Sequence, residues 1–150
     1  VSQSENELTP TMIGRNEMGT QRERLNKILR RKTVEYALLT GRYDGLISLV
    51  QRMLDDSLRR APWKGDTNPL KGHCYVASEA IYHLIPGMRP QFVRHEGAPH
   101  WYLVDPRGAV VDATAGQFEN PVPYGDGKGK GFLTKKPSKR AQVLIERVTS

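Results

Sequence analysis

The chain has 150 residues, a formal net charge of +7, 37% hydrophobic residues and a single cysteine, with a mean hydropathy of −0.58. That length suits one domain with a real core plus an extension, and one cysteine excludes an internal disulfide framework and suits a reducing, cytoplasmic setting. No apolar run approaches the roughly 20 residues needed to span a bilayer, which argues against a membrane partner.

Residues Val1 to Glu7 are polar and acidic, unlike a secretory signal. The stretch 1–19 carries Pro10, Gly14 and Gly19 without sustained periodicity and reads as an extended or disordered arm. From Thr20 to Leu39 the spacing of Leu25, Ile28 and Leu29, followed by Lys32, predicts an amphipathic helix with a basic face. Thr20 and Glu23 have the spacing of a capping box, and Gly41 is placed to stop the helix. A second helix is predicted over Asp44–Arg60, with Leu46, Ile47, Leu49, Val50, Met53, Leu54 and Leu58 in its stripe. Asp44 is its expected cap, and Arg59 and Arg60 suit its C-terminal dipole. The two make a helical hairpin over 20–62.

Residues 63–150 then read as a second unit. Trp63–Lys71 is a loop, and a helix opens at His73 or Cys74 and ends before Pro86-Gly87. Strands are predicted at 89–95, 100–104 and 109–113, with Asp105-Pro106-Arg107-Gly108 as a turn between the last two. Thr114–Gly131 is a glycine-rich loop, and Pro137–Val148 a final helix. The predicted fold is α+β: an N-terminal helical hairpin, a helix carrying the cysteine packed on a small antiparallel sheet, and a C-terminal helix.

Cys74, His100 and Asp112 supply the three parts of a thiol nucleophile: the sulfur, a base and a carboxylate that orients the base. A cysteine at a helix N-terminus faces unpaired backbone N–H groups and the positive dipole end, which favour the thiolate. Side chains alternate along a strand, so His100, Tyr102 and Val104 share a face. A hairpin closing around residue 106 sets His100 directly opposite Asp112. A slip by one residue would pair Asp112 with Trp101 instead. Of Trp101 and Tyr102, one is expected in the core and the other in the cleft. Asn68, six residues before Cys74, is the first candidate for an oxyanion donor, with Trp63 and Gln117 behind it.

Gly72-His73-Cys74-Tyr75 opening a helix, His100-Trp101-Tyr102-Leu103-Val104 as a strand and Val110-Val111-Asp112-Ala113-Thr114 as the next together resemble the papain-like and transglutaminase-like cysteine superfamily. The resemblance implies a minimal core of that type, with Cys74 as nucleophile, His100 as base and Asp112 as orienter. It also implies acyl transfer or amide hydrolysis on a protein or peptide amide, as a protease, deamidase or transglutaminase-like enzyme. The stretch 71–148 also resembles small uncharacterised proteins carried by bacteriophages, which implies host cytoplasm or a virion as the setting.

Two basic clusters locate the charge. One holds Arg22, Arg24, Lys27, Arg30, Arg31 and Lys32, the other Lys128, Lys130, Lys135, Lys136, Lys139 and Arg140. They support an alternative: a basic, non-catalytic protein that binds nucleic acid or docks into a phage assembly through its N-terminal helices. Gly125–Gly131 lacks the Gly-Lys-Ser/Thr ending of a phosphate loop and reads as a flexible basic loop, a candidate lid over the Cys74 cleft. His73, His83, His95 and His100 with Cys74 lack the paired spacings of a structural zinc site, so no metal or cofactor is expected.

Overall fold

The computed structural model of the chain describes residues 10–150, with side chains from residue 19 onward. It shows an α+β fold. Helix α1 spans Pro10–Thr40 and α2 spans Asp44–Met53. Helix α3 spans Cys74–Leu84, strand β1 Arg89–His95 and strand β2 Ala98–Val104. The two-residue strands β3 (Val110–Val111) and β4 (Lys128–Gly129) follow, then helix α4 (Lys139–Thr149). The sheet is antiparallel, in the order β3-β2-β1-β4.

α1 begins ten residues before Thr20, so residues 10–19 are helical rather than an arm, and residues 1–9 lie outside the described residues. Proline is tolerated in a first helical turn, where its missing N–H has no partner to lose. Gly14 and Gly19 each weaken a helix by about 1 kcal/mol without stopping it. Gly41 ends α1 as expected, its N–H donating to Ala37 O at 2.9 Å.

α2 stops at Met53, seven residues short of the expected end. Leu54 is extended, and the Asp55 carboxylate accepts from Ser57 N–H at 3.0 Å and starts a separate 3-10 turn at Asp56–Leu58. Local side-chain capping has outcompeted helix continuation. The interruption frees Arg59 and Arg60 from the helix-terminal role. Arg59 is buried and donates to the carbonyls of Asp66 at 2.7 Å and Asn68 at 2.8 Å, which shapes the loop leading to Cys74.

The main core lies between α2, α3, α4 and one face of the sheet, with Leu46, Leu49, Val50, Val76, Ile81, Leu103, Val111, Leu144 and Val148 buried in it. A smaller cluster, Val93, Tyr102 and Val122, covers the other face. α4 is fixed at its start by a contact that no local pattern announces. Glu79, fully buried on α3, accepts from both Ser138 N–H and Ser138 Oγ at 2.7 Å, while Ser138 Oγ accepts from Ala141 N–H. The helix therefore starts after its Ser138 cap rather than at Pro137.

The hairpin unit and the sheet meet at the turn between β2 and β3. The Asp105 carboxylate is fully buried. It accepts from the N–H groups of Arg107 (2.9 Å) and Ala109 (2.8 Å) and from Tyr43 Oη (2.8 Å), and it pairs with Arg107. Arg107 in turn donates to Gly41 O at 2.6 Å.

Candidate active site

Cys74 is the first residue of α3, and the first intrahelical bond runs from Ala77 N–H to His73 O. The N–H groups of Cys74, Tyr75 and Val76 therefore precede the ladder, at the positive end of the dipole. Gly72 sets the entry with φ +83°, a conformation that side chains disfavour, and a Cβ there would lie 2.5 Å from Trp63 Cβ. His73 is buried, its ring nitrogens each 2.9 Å from a carbonyl, of Pro69 and of Asp55. Those contacts hold the residue just before the sulfur.

β2 carries His100, fully buried. β2 and β3 pair Leu103 with Val111 and Val104 with Val110. Continued outward, this register sets Asp112 against Tyr102 and not against His100, a slip of two residues from the expected pairing. The Asp105 hydrogen bonds place the turn one residue later than anticipated. A slip of two keeps every side chain on its face, so Asp112 becomes the diagonal neighbour of His100 and still reaches it. His100 Nε2 donates to Asp112 Oδ2 at 2.7 Å. Asp112 is itself buried and also accepts from Tyr124 Oη at 2.7 Å and Thr114 N–H at 3.1 Å.

The Cys74 Sγ is 3.9 Å from the carbonyl of Pro99, the residue before His100, and the sulfur is near enough to act on the His100 imidazole. The structure thus brings Cys74, His100 and Asp112 together. Burial alone would push the His100 imidazole down. The hydrogen bond to Asp112, then the one to Cys74, outweigh it and raise it from 6.5 to about 9. A group held above its ordinary value contributes stability that is complete below about pH 6.5 and fades as the pH rises through about 9. The shift corresponds to about 3 kcal/mol. In a proton-detected titration of His100 the native midpoint falls near 9, and Asp112→Asn moves it toward 6.5. A native midpoint at or below 6.5 would contradict the pairing.

A cavity of ≈ 440 Å³ opens over the sulfur. Its lining includes Trp63, Trp101 and Gln117 together with Cys74, and Asn68 is not part of it. Asn68 is a turn residue, accepting from Leu70 N–H through Oδ1 at 3.0 Å and donating through Nδ2 to Gly116 O at 3.5 Å. Its amide is spent inside the loop and is not free to hold an oxyanion. Gln117 Nε2 lies 3.3 Å from His100 Nδ1, which makes Gln117 the side-chain amide nearest the reacting atoms. Trp101 faces the cleft while Tyr102 is buried on the other face, as the alternation requires.

Tyr75, Phe92, Trp101 and Phe132 meet edge-on or stacked, with ring centroids 5.0–5.7 Å apart. Sequence reasoning did not find Tyr75, Phe132 or Tyr124 as site residues. Phe132 and Tyr124 lie in segments distant from Cys74 in the chain that carry no periodic signal, while Tyr75, next to Cys74 on α3, gains its role only through the Trp101 and Phe132 rings that the fold brings to it. His95 does not reach the sulfur. It contacts Asn120 O at 3.0 Å and stacks edge-on against Phe118.

The basic candidates divide. Arg30 and Arg31 donate to the carbonyls of Ser150 and Thr149 and so cap the end of α4 instead of presenting a binding face. Arg22, Arg24 and Lys27 on α1, and Lys128, Lys135 and Lys136, are exposed. Lys130 lies 4.7 Å over the Phe92 ring and 5.8 Å over Trp101. The 125–131 segment is not a free lid. Its Lys128–Gly129 strand pairs with β1, and a Cβ at Gly127 would overlap the Tyr102 hydroxyl. No helix among the described residues is long and apolar enough to cross a membrane. The chain matches no protein-family model, no curated protein and no solved structure.

Proposed function

We propose that this protein is a cysteine acyltransferase or amide hydrolase working through Cys74, His100 and Asp112, a minimal relative of the papain-like and transglutaminase-like enzymes. The observation that carries the reading is the placement of Cys74, first residue of α3 and lining an open cleft, next to a buried His100 that is hydrogen-bonded to a satisfied Asp112 carboxylate. With His100 raised to about 9, the imidazole is protonated at neutral pH and stands as a cation beside the sulfur. The sulfur, as thiolate, attacks an acyl carbon. The Cys74 N–H would receive the oxyanion, and Gln117 Nε2, 3.3 Å from both His100 Nδ1 and Thr114 Oγ1, would leave those contacts to join it. The carbon–nitrogen bond then breaks and the leaving amine takes the His100 proton, which leaves a thioester on Cys74. Water, giving one proton to His100, cleaves the thioester to a carboxylic acid and restores the thiolate beside the protonated imidazole. A primary amine in place of water gives a new amide.

The test uses peptide amides and glutamine-containing peptides, with and without a fluorescent primary amine. Turnover should coincide with an acyl adduct on Cys74 in the intact mass, and both should vanish in Cys74→Ala. Neither adduct nor turnover from any donor, in protein whose Cys74 alkylates normally, would refute the reading.

A second reading has its own support. α1 leaves Leu25, Ile28, Leu29, Tyr36, Leu38 and Leu39 exposed beside Arg22, Arg24 and Lys27. That surface suits docking into an acidic or assembly partner, and the two roles are compatible on one chain.

A further inference from the structure

The cations that line the cleft are only partly offset by the protein's own carboxylates, Glu79 near Arg140 and Asp66 near Lys71. Arg60, Lys71 and Arg140 border the same cavity as Cys74, although they come from three separate segments. Among the described residues Arg60 has no ion pair and no side-chain hydrogen bond. Arg140 donates through Nη1 to Leu58 O, and its buried Nε has no partner. Lys71 makes a long contact, 3.9 Å, with Asp66 and lies 5.7 Å over the Trp63 ring. The one acidic residue of the lining, Glu96, is already engaged by the N–H groups of Glu119 (3.2 Å) and Asn120 (2.8 Å) and by the Asn120 amide.

Arg60 and Arg140 oppose each other. Burial pushes the Arg140 guanidinium down, and the neighbouring Arg60 charge pushes it further. Like charges gathered in a concave, partly desolvated site raise the energy of the empty protein, and a bound anion relieves them. Guanidinium pairs match carboxylates through two parallel N–H bonds. The lining also includes Trp63, whose ring lies 5.7 Å from Lys71 Nζ, Trp101 and the exposed Leu133.

We infer that the cleft selects an acidic peptide, whose carboxylates sit on Arg60, Arg140 and Lys71 while a neighbouring acyl carbon lies at Cys74. This rests on the acyl-transfer reading of Cys74. A peptide fits better than a nucleic acid for two reasons. The cations border one cleft beside the sulfur instead of spreading along a phosphate track, and a nucleic acid offers the sulfur no acyl carbon.

Two measurements on the full chain test it. The first compares iodoacetate with iodoacetamide, reagents of similar size that differ in charge, as alkylators of Cys74. The native protein should favour iodoacetate about tenfold relative to a free thiol. The preference should fall in Arg60→Gln and in Lys71→Gln, both of which replace solvent-accessible side chains, and at high salt. The second measures binding of fluorescein-labelled tetraglutamate amide to Cys74→Ala by anisotropy. Tetraglutamine amide should bind at least about tenfold more weakly, and Arg60→Gln should erase the difference.

Equal binding of the two peptides overturns the inference. So does an oligothymidylate of equal charge that binds as tightly. A Cys74 that labels readily but without charge preference removes the anionic subsite and leaves the thiol chemistry standing. A Cys74 inert to both reagents, with tetraglutamate still bound selectively, removes the acyl-transfer reading and leaves the subsite.

Discussion

At neutral pH, His100→Ala slows alkylation of Cys74 by iodoacetamide on the order of a hundredfold. The thiolate is the reactive form of a cysteine, and a neighbouring cation favours it. His100, raised to about 9, supplies that cation across the neutral range. Alanine removes the charge and the hydrogen bond together but leaves the start of α3, and with it the helix dipole, in place. The residual reactivity of the variant therefore reports what the helix terminus contributes alone. Because His100 is fully buried, alanine also leaves a cavity, so Asp112→Asn is the companion variant. It keeps the volume, removes the negative charge that holds His100 protonated, and is expected to cost about tenfold. Rate profiles against pH for the three proteins, with near-UV dichroism to establish folding, decide the matter. Superimposable profiles would mean that the imidazole does not govern the sulfur.

The largest stability loss is expected from Asp105→Ala, about 3–5 kcal/mol, far from the sulfur. The carboxylate satisfies two backbone N–H groups of the turn and the Tyr43 hydroxyl, and pairs with Arg107. Alanine leaves those donors without an acceptor in a fully buried place. Burial raises the Asp105 carboxyl, but the Ala109 N–H, then Tyr43 and Arg107, prevail and hold it below the ordinary carboxylate value. Its stabilisation is thus present above about pH 4 and is lost as the pH falls through the lower folded value. Urea unfolding at neutral pH should show the full deficit, and the deficit should shrink in acid. Tyr43→Phe, which removes a single hydrogen bond, should cost about 1 kcal/mol. A loss under 1 kcal/mol for Asp105→Ala would show that the turn holds without its carboxylate.

The two variants also separate the parts of the chain that local pattern reveals from those it hides. The alternation in His100–Val104 and the Asp-Pro-Arg-Gly turn were enough to put His100 and Asp112 on one face. The pairing was off by two residues because the turn closes on the Asp105 carboxylate and not at its geometric centre. The face survived because the period of a strand is two. Helix boundaries fared worse. A proline and two glycines concealed the first ten residues of α1, and a single aspartate, Asp55, broke α2 inside an unbroken apolar stripe. Tyr124 on Asp112, Glu79 on Ser138 and Arg60 beside Arg140 were invisible for a different reason. Each joins groups that only the folded chain brings near, and no spacing in the sequence encodes them.

Both margins of the sheet are two-residue strands, Val110–Val111 on one side and Lys128–Gly129 on the other. An edge of that length offers another chain almost no ladder on which to nucleate, and a lysine and a glycine at β4 discourage pairing further. A small α+β fold with a short sheet is open to cross-β association at its margins. Here the risk is contained by stopping the sheet early on both sides, so a valine pair in place of Lys128 and Gly129 would make that margin more prone to pairing without touching Cys74.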